Sequence, residues 1–272
     1  EGAVEVILDA TRNYSSPLTA ERLKRWHSAL FPWGRSGMKN LIVGEWRDDA
    51  LGPMQVVSGP LGRERVHFEA PEARLLDLEI GRFLQWFENE KTDPVLTAGI
   101  AHLWFITIHP FDDGNGRLAR AISDLALARA EATPYRFYSM SAQIRAERQT
   151  YYDLLEQTQK GDLEITPWML WFIACLDRAI VGAEAAMAKV LTKARFWQAV
   201  SDQPLNDRQR KVLNQLLDGF QGKLTNAKWV ALTRSSSDTA LRDISDLIKR
   251  GILVRESKGG RSTSYQFHPD YR

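Results

Sequence analysis

The segment His109-Pro110-Phe111-Asp112-Asp113-Gly114-Asn115-Gly116-Arg117-Leu118-Ala119-Arg120 places the groups that phosphate chemistry needs within a dozen residues. Gly114-Asn115-Gly116 lets the backbone approach a ligand closely and adopt positive φ. Successive N–H groups there, just ahead of a helix, form a site for phosphate. Arg117 and Arg120 are i, i+3 neighbours beside that site, and two guanidiniums suit more than one phosphate group. Asp113 is a hard oxygen ligand suited to Mg²⁺ or Mn²⁺ shared with phosphate oxygens. His109, at the loop entrance, can take a proton from a hydroxyl near neutral pH. Phe111, set between polar residues, is expected to anchor the loop in the core. Taken singly, each of these residues reads as part of a solvated helix cap; the combination carries the reading.

The elements around the segment must hold it still. An almost wholly apolar stretch from about Pro94 to Ile108 predicts a central helix leading into it, and a second helix, Leu118 to Ala130, leads out. Leu23, Trp26, His27 and Leu30 follow helical spacing behind a cap at Thr19, which makes His27 a packed core histidine. Leu76, Ile80, Phe83, Trp86 and Phe87 form the buried face of a helix near Ala73 to Glu90. Met54–Val57 and Arg65–Phe68 flank Ser58–Glu64 as a β-hairpin. A helix from about Ile180 to Val200 ends at a polar joint, Ser201–Leu205. Net charge is −4 over residues 1–205 and +6 over residues 206–272, so the domain boundary is expected at that joint.

The 272 residues are 44% hydrophobic and 26% charged, with net charge +2, which is the composition of an ordinary globular protein. The single cysteine, Cys175, rules out an internal disulfide framework and reads as a small buried hydrophobe. Apolar stretches are too short or too often interrupted to span a bilayer, and no signal-peptide pattern is visible, so a cytoplasmic protein with no membrane partner is expected. The sequence starts at Glu1 rather than Met.

Residues 109–120 resemble the motif of the Fic family of nucleotidyl transferases, HPF-x-[DE]-GNG-R-x-x-R, at every fixed position. The resemblance extends over roughly Leu18 to Leu176. It implies protein adenylyltransfer: AMP passes from ATP to a Tyr, Thr or Ser hydroxyl of a target protein, with release of pyrophosphate. His109 would be the base and Asp113 the metal ligand. Gly114, Asn115 and Gly116 would form the anion hole, and Arg117 and Arg120 would grip the outer phosphates. The hairpin residues Val56, Val57, Ser58, Gly59, Val66 and Phe68 resemble a flap that docks a target segment by strand addition. Thr150–Leu155 resembles the part that packs on adenine, with Tyr152 as the stacking face and Tyr151 as a core alternative. A family asparagine near the adenine falls at Gln159, a departure that lengthens the side chain. Glycine at Gly116 is the pattern of the AMP-transferring majority; the phosphorylating branch has lysine. The family's autoinhibitory pattern [ST]-x-x-x-E-[GN] has no full match: Glu1-Gly2 has no residues ahead of it, and Glu88-Asn89 follows Leu84.

Residues 206–272 read as three helices and a hairpin. Asn206 and Gln209 form a capping box, Val212, Leu213, Leu216 and Leu217 an apolar face, and Gly251 a helix stop. Ile252–Arg255 and Ser264–Phe267 flank a basic turn, Lys258–Arg261. The pattern resembles a winged helix-turn-helix. The predicted fold is therefore mainly α: a helical domain over residues 1–200 with a flap near 54–68, then a small winged-helix (α+β) domain. Asp238, Asp243 and Asp246 on the third helix argue against a DNA backbone. Protein docking or homo-oligomerisation is preferred there over DNA binding. The alternatives are a nucleotide-sensing DNA-binding regulator, a different nucleotide donor, or removal of AMP.

Overall fold

The computed structural model describes residues 2–50, 52–60, 62–162, 164–256 and 263–271. It is mainly helical and divides into two compact units, residues 1–183 and 184–272. The first unit contains α1 (Gly2–Arg12), α2 (Ala20–Leu30), a short β1–β2 pair (Arg35–Ser36, Lys39–Asn40), and the hairpin β3–β4 (Gln55–Ser58, Arg65–Glu69). Then come α3 (Leu76–Asn89), α4 (Pro94–Ile108), α5 (Asn115–Glu131), α6 (Met140–Ala146) and α7 (Arg148–Gln159). The long α8 (Thr166–Ala199) crosses the division.

The core is organised by α4 and α5. Asp93 caps α4 through the Val95 N–H at 2.8 Å, and Pro94 opens its first turn, where its missing N–H costs nothing. Ala98, Ala101, Phe105 and Ile108 of α4 are buried against Leu118, Ala119, Ala121, Ile122 and Leu125 of α5. The small residues let the two helices lie close together. Gly99 lets α8 approach α4 in the same way: a Cβ there would stand 2.8 Å from Met169 Cε and 3.0 Å from Phe172 Cδ1. Phe83, Trp86, Phe87, Trp104 and Phe105 form an aromatic cluster between α3 and α4. Truncating fully buried Phe105 to alanine would cost about 3–5 kcal/mol. Cys175 lies in this core, and burial pushes its thiol up to about 12, so it is an inert packing group.

The hairpin forms where the alternation placed it, starting one residue later. Its register pairs Gln55 with Glu69, Val56 with Phe68, Val57 with Val66 and Ser58 with Arg65, with a bulge between Val56 and Val57. Helix α1 and the β1–β2 pair were not expected. Val6 and Ala10 of α1 are buried, and the helix packs on α2 and α5.

The second unit contains the end of α8, α9 (Asp207–Leu217), α10 (Asn226–Thr233) and α11 (Ser237–Lys249). A three-stranded antiparallel sheet, ordered β5 (Leu224–Thr225), β7 (Ser264–Phe267), β6 (Leu253–Arg255), completes it. The expected boundary at Ser201–Leu205 is some twenty residues late: Phe196 and Val200 lie in the second core, and the Phe196 ring sits 5.0 Å from Phe267 and 5.5 Å from Tyr271. The Asn206–Gln209 capping box is formed in both directions at 2.9 Å. The basic turn Lys258–Arg261 lies outside the described residues. Among the described residues, no helix is long and apolar enough to cross a membrane.

Candidate active site

The segment 109–120 forms the hinge between α4 and α5, residues 109–114, and the opening turns of α5. His109 is the C-cap of α4 and sits in the left-handed region at φ 50°. That conformation turns the chain sharply out of the helix and is uncommon for any residue but glycine, although His tolerates it better than most. A buried arginine holds it. Arg47 Nε donates to the His109 carbonyl at 2.8 Å, Nη1 donates to Asp49 at 2.9 Å and Nη2 donates to the Pro71 carbonyl. The Arg47 backbone N–H adds a bond to the Pro110 carbonyl at 3.0 Å. Sequence reasoning missed Arg47, because nothing local distinguishes it from a surface arginine.

The imidazole of His109 has a defined tautomer. Nδ1 lies 3.1 Å from the Ile106 carbonyl, which can only accept, so Nδ1 carries the proton and Nε2 the lone pair. Burial, foremost, and the positive Arg47 push its pKa below the ordinary value, against the Ile106 carbonyl and Asp113. The neutral, proton-accepting form is therefore the resting form at pH 7.

Phe111 is fully buried and its ring stacks on His27, with centroids 4.1 Å apart and planes 8° from parallel. His27 is a core histidine, 0% exposed, with a second task. Its Nδ1 accepts the Gly44 N–H at 3.1 Å, so Nε2–H donates to the Asp113 carbonyl at 3.2 Å. The Asp112 carboxylate accepts the Ile42 N–H at 3.0 Å. The loop between α2 and β3 thus pins the hinge from outside.

The side chain of Asn115 serves the loop itself. Its amide closes the loop on itself, accepting the Phe111 N–H at 3.0 Å and donating to the Phe111 carbonyl at 2.7 Å, and the residue is 2% exposed. What Asn115 offers a ligand is its backbone N–H. Asn115 and Gly116 are the first two residues of α5, so their N–H groups have no acceptor within the helix. Gly114 caps α5 at φ 84°, and a Cβ there would approach Phe31 Cε2 to 2.9 Å. The Gly114 N–H donates to Asp113 Oδ1 at 2.5 Å. A phosphate oxygen would compete with Asp113 for it. A Cβ on Gly116 would meet Arg120 Nη1 at 3.6 Å and Ile106 Cδ1 at 3.8 Å. Alanine would fit there, whereas a longer side chain would displace the guanidinium.

Arg117 lies over the Phe31 ring at 4.6 Å and 3.6 Å from Asp113 Oδ2. Arg117 and Arg120 line a cavity of about 570 Å³ together with Arg145, Arg148 and Tyr152. Ala3, Val6 and Ile7 of α1 and Ile144 form its apolar wall. The sequence did not single out Arg145 or Arg148; they come from the end of α6 and the start of α7. Among the described residues lining this cavity there is no carboxylate. Both tyrosines line the cavity, but Tyr151 is 3% exposed and its hydroxyl bonds His102 Nε2 at 3.0 Å, while Tyr152 is 56% exposed. Gln159 is directed elsewhere: its amide donates to Thr107 Oγ1 at 3.1 Å, and it does not line the cavity. In the flap, Val57 and Val66 are outward-facing, 47% and 42% exposed.

A resident divalent cation was tested against these groups. Among the described residues, no cluster of three or more His, Cys, Asp or Glu side chains could hold a metal alone. Asp113, half-exposed beside the α5 N-terminus, suits Mg²⁺, which typically takes one or two carboxylates and completes its shell with water and substrate phosphates. Asp112 is engaged by the backbone and is no candidate.

Comparison with known proteins gives a consistent result. Residues 17–127 match the model of the Fic/DOC family. "Protein adenylyltransferase Fic" of Culex quinquefasciatus is 32% identical over 108 residues, covering 39% of this chain and 20% of that protein. The protein of the same name from Nematostella vectensis is 34% identical over 116 residues, covering 41% of this chain and 24% of that one. The chain thus spans about a fifth to a quarter of the length of these relatives. A Fic family protein from Desulfovibrio desulfuricans G20 shares the fold over 98% of this chain and 74% of its own, with TM-score 0.53 and 20% identity. A Fic domain containing signaling protein from Bacteroides thetaiotaomicron VPI-5482 does so over 66% of this chain and 67% of its own, with TM-score 0.51 and 22% identity.

Proposed function

Given that residues 17–127 match the model of the Fic/DOC family, we propose that this chain transfers AMP from ATP to a hydroxyl side chain of a target protein. The observation that carries the reading is His109: its Nε2 lone pair is free of the Ile106 bond, its ring is kept neutral, and the phosphate loop begins beside it. The relatives' name, protein adenylyltransferase, supports the same reading.

In this mechanism the target hydroxyl gives its proton to His109 Nε2 as its oxygen attacks the α-phosphorus. The bond from the α-phosphorus to the bridging oxygen of the β-phosphate breaks, and pyrophosphate leaves with that oxygen. The N–H groups of Asn115 and Gly116 point at the α-phosphate, where charge develops. Arg117 and Arg120 hold the β- and γ-phosphates and receive the leaving group. A Mg²⁺ or Mn²⁺ ion held by Asp113 would neutralise charge on the phosphates. Tyr152 offers the exposed ring for the base, and the flap offers Val56–Phe68 to the target. Gln159 has no part here unless it leaves Thr107. The test is incubation of the purified chain with α-labelled ATP, GTP, UTP and CTP, followed by mass spectrometry of every modified protein. Labelling from UTP or GTP in preference to ATP would change the donor but keep the mechanism; an unlabelled product with any donor would end it.

For the second unit we keep protein docking or self-association first, and one observation favours a second reading. Asp243 is 6% exposed and paired with Arg208 at 2.8 Å, and Asp246 accepts from Gln209 at 2.9 Å and is ion-paired with Arg250 at 2.9 Å. Of the three aspartates that argued against DNA, Asp243 therefore faces inward and Asp246 has its charge offset by Arg250. Gel-shift titration of random duplex at two salt concentrations, beside light scattering, separates the readings: a complex that weakens steeply with salt supports DNA, and a concentration-dependent mass supports self-association.

A further inference from the structure

The hairpin and helix α7 are fastened by one carboxylate. Glu156 accepts Arg65 Nη2 at 2.7 Å, His67 Nδ1 at 2.6 Å and Lys160 Nζ at 2.8 Å. The carboxylate can only accept, so His67 Nδ1 is the protonated nitrogen. His67 Nε2, 2.5 Å from Ser58 Oγ, carries the bond across to the other strand. The three donors hold the Glu156 carboxyl down to about 2, with Lys160 the largest influence, then His67 and Arg65, so it is ionised under all working conditions.

The register explains why the hairpin lies as it does. Ser58 and Arg65 are paired, and His67 follows on the same face. Val57 and Val66 are paired on the other face and are exposed. The hairpin thus turns its polar face to the helical body and its apolar face outward, the reverse of an ordinary surface hairpin. Val56 and Phe68 are only half-buried, so apolar burial holds the hairpin weakly. The Glu156 cluster seats it, together with the Arg47 bond to the Pro71 carbonyl just beyond β4.

We propose that Glu156 is a positioning residue that fixes the flap to the helix bearing Tyr152, so that binding of nucleotide on α7 and docking of a target on the flap are coupled. This rests on the adenylyltransfer reading above. Tyr152 and Glu156 are i, i+4 neighbours, adjacent on one helix, so a ring pressed by a base and a carboxylate holding the flap move as one body. The cluster also sets what the target segment meets: exposed Val57 and Val66.

The test uses the full chain and amide hydrogen exchange read by mass spectrometry. Glu156→Gln keeps size and helix propensity but weakens all three bonds. It is expected to speed exchange of the peptides spanning Val56–Phe68 roughly 3- to 10-fold while α4 and α5 are unchanged. Lys160→Gln is the control, since it removes the partner at the C-cap of α7, outside the hairpin; it should leave flap exchange as in the parent. Arg65→Gln and the double variant complete a cycle, and their effects should be non-additive. A non-hydrolysable ATP analogue supplies the functional arm. In the parent it should slow flap exchange; in Glu156→Gln it should bind with the same Kd, by calorimetry, yet leave the flap unprotected. Flap exchange equal to the parent's in Glu156→Gln, or equally fast in Lys160→Gln, overturns the proposal. Analogue binding that protects the flap equally in both also overturns it. If the analogue binds neither protein, the adenylyltransfer reading fails, and the exchange of the free proteins still decides the fastening.

Discussion

Replacing Arg47 with methionine tests how the catalytic turn is held. The substitution keeps most of the buried volume and removes every guanidinium donor. The arginine is 2% exposed, and three acceptors lose it: the His109 carbonyl, the Pro71 carbonyl and Asp49. Breaking a buried ion pair by deleting one partner costs about 3–5 kcal/mol. Asp49 is 31% exposed and also accepts the Ala73 N–H, so it recovers part of its solvation; about 3 kcal/mol is the better figure. For a unit of this size that is a fall in Tm of roughly 6–12 °C. The backbone bond from residue 47 to Pro110 survives, so the hinge should loosen without unfolding. A loosened left-handed turn displaces the imidazole, and a 1 Å misplacement is worth about 10²-fold in rate. Thermal melts, transfer from labelled ATP and calorimetric titration of the ATP analogue separate these effects. The expected pattern is a lower Tm, transfer down about 10²-fold, and nucleotide Kd within roughly threefold of the parent. A lower Tm with an unchanged transfer rate would show that Arg47 stabilises the unit but does not position His109.

The same geometry constrains a pH profile and three further variants. The His109 pKa is depressed, so the neutral base persists below pH 6.5. The acid limb of kcat/KM should have its midpoint below 6.5, and any stability from His109 should be lost as pH falls below the unfolded value and through the folded one; a limb centred above 6.5 refutes this environment. Gly114→Ala forces a left-handed alanine whose Cβ meets Phe31, and should cost about 2 kcal/mol in denaturant unfolding; a neutral result would mean the loop relaxes freely. Asp113→Ala should abolish transfer and most of its response to added Mg²⁺ or Mn²⁺, and Arg120→Ala should weaken the ATP analogue by 1.5 kcal/mol or more, roughly tenfold. Unchanged affinity in the arginine variant would place the phosphates elsewhere.

What could be read from the sequence was local. The hinge lies in one contiguous segment, so its glycines, arginines and base were visible together, and so was the apolar character of α4. The supports were not, because they arrive from far along the chain. Arg47 reaches His109 across 62 residues, and Glu156 reaches His67 across 89. The motif shows Asn115 but not what its side chain does: the buried amide, satisfied on both edges by Phe111, braces the loop and leaves the backbone N–H to face a ligand. Similarly, Asp243 and Asp246 were counted as surface charge because helical spacing alone does not reveal that Arg208 and Gln209 meet them from α9. The boundary was placed at a polar stretch, although Phe196 and Val200, before it, were already packing into the second core. Helix α1 does carry helical spacing at Ala3, Val6, Ile7 and Ala10, but exposed Val4 and Leu8 add apolar residues off that face and blur it.

The central claim is that His109 accepts the proton of the target hydroxyl. His109→Asn is the sharpest variant, because asparagine tolerates the left-handed backbone at φ 50° that alanine would strain, leaving the hinge in place. The measurement is transfer of label from α-labelled ATP by parent and variant at equal occupancy, with occupancy set by calorimetric titration of the ATP analogue. The account predicts unchanged nucleotide affinity and a transfer rate reduced about 10²- to 10⁴-fold. A variant that transfers AMP as fast as the parent would contradict it.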